Sequence, residues 1–325
     1  MSKTIKISIG IFAVVVLAGY VGINYATEYV LPYSPIRPSR CTDAVVLKYY
    51  GGVLTPSAAG LIWKPFDITV EDTIRLRGWF VDSKLQPARG TIFLLHGIAS
   101  CKATMIPTAD LLTSSGFNCV LYDSRANGES GGINCTFGYF EKEDLSAYVD
   151  SAQSRFPDSS PYAVFGNSLG AAVAIETMAL DKRLVCGVVE SPFANLRDVI
   201  HDYFARMFLV RINSIPDRAL TFTEKIAHFP IDSVQPALSA KRITQPVMVI
   251  HGLEDKHIRS AYGRLVFDNL SSFEKEWLPI PNGDHYNLRK VGGEGYKRKI
   301  VEFFKQHLRA VTDGSKPEVT PSVVR

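Results

Sequence analysis

The pentapeptide Gly166-Asn167-Ser168-Leu169-Gly170 sets a hydroxyl between two glycines, after the apolar run 162–166 and before a run of small apolar residues. A strand that turns at once into a helix leaves no room for side chains beside the turning residue. Glycines on both sides let the chain close up, while the serine takes a strained conformation with its hydroxyl exposed. A serine capping an ordinary helix would explain the hydroxyl but not both glycines. A serine hydroxyl is a weak nucleophile at neutral pH and needs a base beside it, which in turn needs an acid to orient it. Downstream, "HGLEDKHI" sets Asp255 just past the apolar run 246–252, and "NGDHYN" sets His285 just past the run 274–280. Nucleophilic acyl transfer is the chemistry these three types perform together, with Ser168 attacking, His285 as base and Asp255 as its partner. Glu254 and Asp284 compete for the acid position and are read as surface or helix-capping groups. His251 and His257 compete for the base, His251 being read as structural and His257 as solvated. The tetrahedral intermediate also needs two backbone N–H groups. One is assigned to Leu169, directly after the nucleophile. The other is assigned to Ile98, with Ala99 second, in the loop after "LLHG", where Gly97 allows close approach. His96 in that loop is read as structural.

Elements must hold these residues on one edge. "KPFDITVEDTIRLRGWFVD" alternates apolar and polar residues and predicts an antiparallel hairpin. The runs 90–97, 117–125, 162–166, 184–191 and 246–252, and more weakly 274–280, are short and continuously apolar, as strands buried on both faces are. Segments with helical spacing, such as 141–155 and 170–180, lie between most of them. This alternation predicts an α/β fold with a mostly parallel, doubly wound sheet, whose ligand site lies beyond the carboxyl ends of the strands. The interval 193–242 has no clear strand but many aromatic and aliphatic residues, and is read as a helical cap inserted over the site; a long crossover connection is the plainer alternative.

Composition narrows the class. Of 325 residues 46% are hydrophobic and 21% charged, which suits a globular core. A net charge of +4 without a Lys/Arg block gives no support to a nucleic-acid partner. Lys3 and Lys6 precede an uncharged, mostly apolar run from Ile7 to Thr27, long enough to cross a bilayer as a helix. Residues 1–28 are therefore read as an uncleaved membrane anchor, with a cleaved signal peptide as the alternative. Its amino end is placed in the cytoplasm and the remainder outside. The Pro-rich stretch within 29–45 is read as a linker, 46–311 as the main domain and 312–325 as a fraying tail. The five cysteines form no C-x-x-C and no metal-ligand spacing, so neither a metal nor a cofactor is expected. Cys119 and Cys186 are read as core residues. Cys101 and Cys135 fall in loops at the carboxyl ends of neighbouring strands and are considered as a disulfide, against free thiols.

In their order, "HGIAS", "DSRANGESGG", "GNSLG", "ESPF", "HGLEDKHI" and "GDHYN" resemble the α/β-hydrolase superfamily, and within it the serine-aminopeptidase-like and bud-emergence-type branch. The resemblance spans about Phe66 to Leu308. It implies the α/β-hydrolase fold, with Ser168 as nucleophile, His285 as base and Asp255 as its partner, in the chain order that fold uses. Two departures stand out. The loop after His96 lacks the multi-glycine form of many lipases, and "DSRANGES" carries Ala-Asn where relatives commonly have Gly-His. Asp123 and Arg125 there are read as holding the turn. The resulting expectation is a serine hydrolase that cleaves an ester, thioester or amide of a small-molecule or lipid-like acyl group. Alternatives are a membrane-tethered binding module without turnover and an acyltransferase.

Overall fold

The hydrophobic runs become strands of one twisted sheet. In the computed structural model, which describes residues 3–49, 52–71 and 73–308, the strands are β1 (Trp63–Pro65), β2 (Ile68–Val70), β3 (Ile74–Leu76), β4 (Gly78–Val81), β5 (Thr91–Leu95), β6 (Asn118–Tyr122), β7 (Tyr162–Asn167), β8 (Leu184–Glu190), β9 (Val247–Gly252) and β10 (Lys275–Ile280). Eight of them pair in the order β1-β4-β6-β5-β7-β8-β9-β10. From β6 to β10 all neighbours are parallel, while β1 on β4 and β4 on β6 are antiparallel. The predicted single hairpin is split. β2 and β3 form a small ribbon of their own, and β1 and β4 join the main sheet. The chain is diverted between them because Phe66 turns fully into the core, its N–H bonded to the Gly78 carbonyl.

The helices are α1 (Lys3–Tyr29), α2 (Tyr33–Ile36), α3 (Asp43–Tyr49), α4 (Ile106–Thr113), α5 (Glu141–Arg155), α6 (Leu169–Leu180), α7 (Leu196–Phe208), α8 (Ser214–Ala227), α9 (Pro236–Ser239), α10 (Ser260–Asn269) and α11 (Leu288–His307). Alternate strand residues feed two cores. Phe93, Leu95, Val120 and Val164 pack with α5 and α6, and Ile92, Leu94, Leu121 and Phe165 pack with α4 and α11. The sheet is thus buried on both faces, which is why its strands read as unbroken apolar runs. Between β8 and β9 the chain holds α7, α8, α9 and short 3-10 turns and, among the described residues, no strand, as the cap reading anticipates.

Among the described residues one helix is long and apolar enough to cross a membrane, and it lies near the N-terminus. Its apolar side chains are exposed. The stretch 29–45, expected to be a linker, is instead docked on the domain. Ile36 is fully buried, Arg40 donates to the carbonyls of Gly128, Ser130 and Gly132, and the Thr223 hydroxyl of α8 donates to the Pro32 carbonyl at 2.9 Å. The proposed Cys101–Cys135 bridge does not form. Cys101 pairs with Cys41, with Cα atoms 5.7 Å apart, and Cys135 is a buried free thiol. The reason lies in the layers: Cys101 belongs to the core on the α4 and α11 face and Cys135 to the core on the opposite face. Residues 309–325, which include the expected tail, lie outside the described residues.

Candidate active site

Ser168 stands at the junction of β7 and α6 with φ 54° and ψ −111°. A Cβ on Gly166 would lie 2.2 Å from the Gly170 carbonyl oxygen, and one on Gly170 would lie 2.3 Å from that of Leu95. Both glycines are therefore dictated by the tightness of the turn. The Ser168 N–H donates to the Glu190 carbonyl on β8 at 2.8 Å, which fixes the strained residue against its neighbouring strand.

Loops after the last two strands deliver the other groups. The Ser168 hydroxyl lies 3.0 Å from His285 Nε2, and His285 Nδ1 lies 2.7 Å from Asp255 Oδ2. All three side chains are buried. Because Asp255 can only accept, the ring carries its proton on Nδ1, and Nε2 is left to accept from the serine. The second Asp255 oxygen accepts the N–H groups of His257 and Ile258, each at 2.8 Å. Burial works against ionisation of Asp255. The hydrogen bond and charge of His285, the Ile258 N–H and the charge of His251 outweigh it and hold the carboxyl below its ordinary value. The rivals fall elsewhere. Asp284 accepts the N–H groups of Tyr286 and Asn287 ahead of α11, and Glu254 is exposed. His251 is fully buried, with Nε2 2.9 Å from the Ile258 carbonyl and 3.6 Å from Asp255 Oδ2; burial pushes its imidazole down. His257 is half-buried beside Arg206, and burial followed by that guanidinium pushes its imidazole down too.

The loop after β5 lies directly above the serine. A Cβ on Gly97 would sit 3.5 Å from Ser168 Cβ. Ala99 has φ 55°, and its N–H is already given to Asn127 Oδ1 at 3.2 Å, which leaves Ile98 as the better-placed second donor of the pair considered. Leu169 opens α6, so its N–H has no acceptor within the helix. His96 bridges two loops, with Nδ1 2.7 Å from the Gly97 carbonyl and Nε2 accepting the Ser124 N–H at 3.1 Å; burial pushes its imidazole below the ordinary value. In the next loop Asp123 accepts from the Lys102 ammonium and backbone and from the Glu129 N–H, and Arg125 makes a two-point pair with Asp144. Asn127, where the loop departs from the pattern it resembles, thus shapes the loop that carries Ile98. Reading the sequence did not find this role, although the departure itself was the signal.

Ser168 and Ile98 are shared by two cavities. One, of about 250 Å³, runs under the cap and is lined by Val199, Phe204, Met207, Ala219 and Leu220 from α7 and α8 and by Leu31, Ser34 and Pro35 from the docked N-terminal stretch. The other, of about 270 Å³, is more polar and is lined by Asn167, Glu190, His285, Arg289 and Tyr296. Glu190 is a second residue that sequence reading passed over, though it ends β8 on the rim where ligands bind. Burial pushes its carboxyl up to about 7, against hydrogen bonds from the Tyr296 hydroxyl and Asn167.

Residues 86–235 match the family described as "Serine aminopeptidase, S33". The esterase Pf2001 of Pyrococcus furiosus superposes with a TM-score of 0.69 at 24% identity, covering 85% of this chain and 99% of that one. The chain has the α/β-hydrolase fold. DcsB, solved in complex with its substrate analogue, superposes with a TM-score of 0.60 at 19% identity over 76% of this chain and all of that one. In sequence, YfhR of Escherichia coli K12 is 26% identical over 250 residues, 74% of this chain and 80% of that protein. YqkD of Bacillus subtilis is 21% identical over 254 residues, 76% and 77% of the two. Together these likenesses support a serine hydrolase of the α/β fold.

Proposed function

We propose that this α/β hydrolase is a membrane-anchored serine esterase that works through Ser168, His285 and Asp255 and an acyl-enzyme intermediate. The observation that carries the reading is the continuous chain of contacts, 3.0 Å from hydroxyl to imidazole and 2.7 Å from imidazole to carboxylate. Ser168 Oγ attacks the substrate carbonyl as His285 Nε2 takes its proton. The ionised Asp255 holds the ring in place and balances the imidazolium. The N–H groups of Leu169 and Ile98 receive the oxyanion. Collapse expels the alcohol, which takes the proton back from His285. Water then repeats the sequence on the acyl-enzyme and releases the acid.

Amides and thioesters would use the same machinery. An apolar cavity that reaches the nucleophile supports an ester whose acyl part is apolar. Its walls include the stretch after α1, so α1 is read as a retained anchor rather than a leader. The Cys41–Cys101 bridge supports a main domain on the oxidising side, outside the cytoplasm. In domain terms residues 1–28 are the anchor and 46–311 the catalytic domain, with 193–242 as its cap.

The test is a series of nitrophenyl esters given to the purified full chain. Turnover is expected to rise from acetate toward medium and long acyl chains and to vanish in Ser168→Ala. Equal turnover by Ser168→Ala and the wild type would refute the assignment.

A further inference from the structure

We propose that the tip joining α7 to α8 enters the same bilayer leaflet as the end of α1, so that the apolar cavity takes its acyl substrate directly from the membrane. The proposal rests, for its substrate, on the esterase reading above. Three observations carry it.

The first is alignment. Thr223 of α8 meets Pro32, and Arg218 meets Glu28 and Asn24 at the end of α1. The sequence offset between the partners is nearly constant, at 191, 190 and 194 residues. A constant offset means that α8 runs parallel to the end of α1, so moving toward the start of α8 means moving back along α1 into its apolar run. By that offset Ser214, the first residue of α8, is level with the region of Ile23, and the tip 209–213 directly precedes it. The second is chemistry. That tip reads Leu209-Val210-Arg211-Ile212-Asn213, and Leu209 is 90% exposed, with Val210 and Ile212 exposed beside it. Its one cation, Arg211, turns its charge back to Asp202 of α7, 3.4 Å away, and so is paired rather than free beside the apolar residues. The third is continuity. Met207 and Phe208 line the cavity that reaches Ser168 and are also exposed, at 67% and 47%, so the cavity and the apolar tip share one face. Leu31 and Pro35, directly after α1, form the other side of that cavity. A bilayer is the occupant this arrangement fits: a helix long enough to span it, an apolar tip beside that helix and a cavity walled by residues next to each.

The test reads depth rather than binding, because α1 attaches the protein in any case. An environment-sensitive fluorophore is placed on Leu209→Cys in the full chain, reconstituted in phosphatidylcholine vesicles with or without nitroxide on the acyl chains. The native cysteines are bonded or buried and do not compete for label. Phe273→Cys, fully exposed just before β10 on the opposite rim, is the control. The expected result is strong quenching at position 209 and none at 273; equal, weak quenching at both overturns the proposal. The second arm pairs Leu209→Asp with Ile212→Asp. Their combination should lower hydrolysis of a long-chain ester dissolved in the vesicles by about tenfold or more relative to hydrolysis of water-soluble nitrophenyl acetate. An unchanged ratio also overturns it. If the wild type hydrolyses neither ester, the esterase reading is what fails, and the quenching pattern still decides whether the tip enters the bilayer.

Discussion

The two cavities that meet at Ser168 are built from different materials. The polar one is made by the sheet rim and the loops after β5, β8 and β10, where Asn167, Glu190, His285 and Arg289 converge. The apolar one is made by additions to the fold, namely the cap helices and the stretch that follows α1. The rim holds the groups proposed to react, so the proposed chemistry belongs to the common fold. The additions decide what reaches it. A nucleophile set between an apolar and a polar cavity is suited to a substrate with an apolar acyl group and a polar leaving group. Reaction and selection should therefore fail separately when one wall or the other is altered.

The largest effect should fall on both sides at once. Ser168→Ala removes the proposed nucleophile common to both cavities and His285→Ala the base that serves it, and kcat/KM should drop at least ~10³-fold for short and long esters alike, read by steady-state hydrolysis. A loss confined to one chain length would break the picture of a single shared nucleophile. Next comes the tie between the N-terminal stretch and the rim. Cys41→Ser opens a bridge spanning 60 residues and should cost about 2–4 kcal/mol of stability, seen as a lower Tm that the wild type reproduces under reductant. The same variant should weaken the preference for long esters, because the stretch that carries Leu31 and Pro35 loses one of its ties to the domain. Narrowing the apolar side alone is a smaller perturbation. Ala219→Phe should reduce kcat/KM for long-chain esters about tenfold while leaving nitrophenyl acetate nearly untouched; equal losses would show that the cavity does not hold the acyl chain.

The smallest effect concerns the polar side and depends on pH. Folded Glu190 keeps its proton up to about pH 7, whereas an ordinary glutamate releases it near 4.5. Between these values the native state binds more protons than the unfolded state, so this contribution to stability is full below about 4.5 and is lost as pH rises through about 7. Glu190→Gln lacks that loss. Its Tm relative to the wild type should climb between about pH 5 and 7 and then level off, in a set of melts across pH. A flat difference would mean that burial does not perturb Glu190.

The rim was far more legible in the sequence than the additions, for a physical reason. Strands buried on both faces must be continuously apolar, so β5, β6, β7, β8 and β9 announced themselves. The turn at Ser168 admits only glycine at 166 and 170, and so announced the position of the proposed nucleophile. The edge was harder. Between residues 64 and 82 the alternation of a hairpin was correct locally, but which partners those strands choose depends on where Phe66 is buried. The N-terminal stretch was the least legible. Its prolines suggested a linker, whereas docking depends on distant partners such as Thr223 and the carbonyls of 128–132. Cysteine pairing failed in the same way. Loop position suggested Cys101 with Cys135, but the sheet separates them, and only the docked N-terminal stretch brings Cys41 within reach.

Labelling of the full-length protein by a fluorophosphonate probe, with the modified peptide identified by mass spectrometry, addresses the nucleophile most directly. The account predicts one adduct, on the Ser168 hydroxyl, lost in His285→Ala and absent from Ser168→Ala. Failure of the folded wild type to react, or an adduct at any other residue, would contradict it.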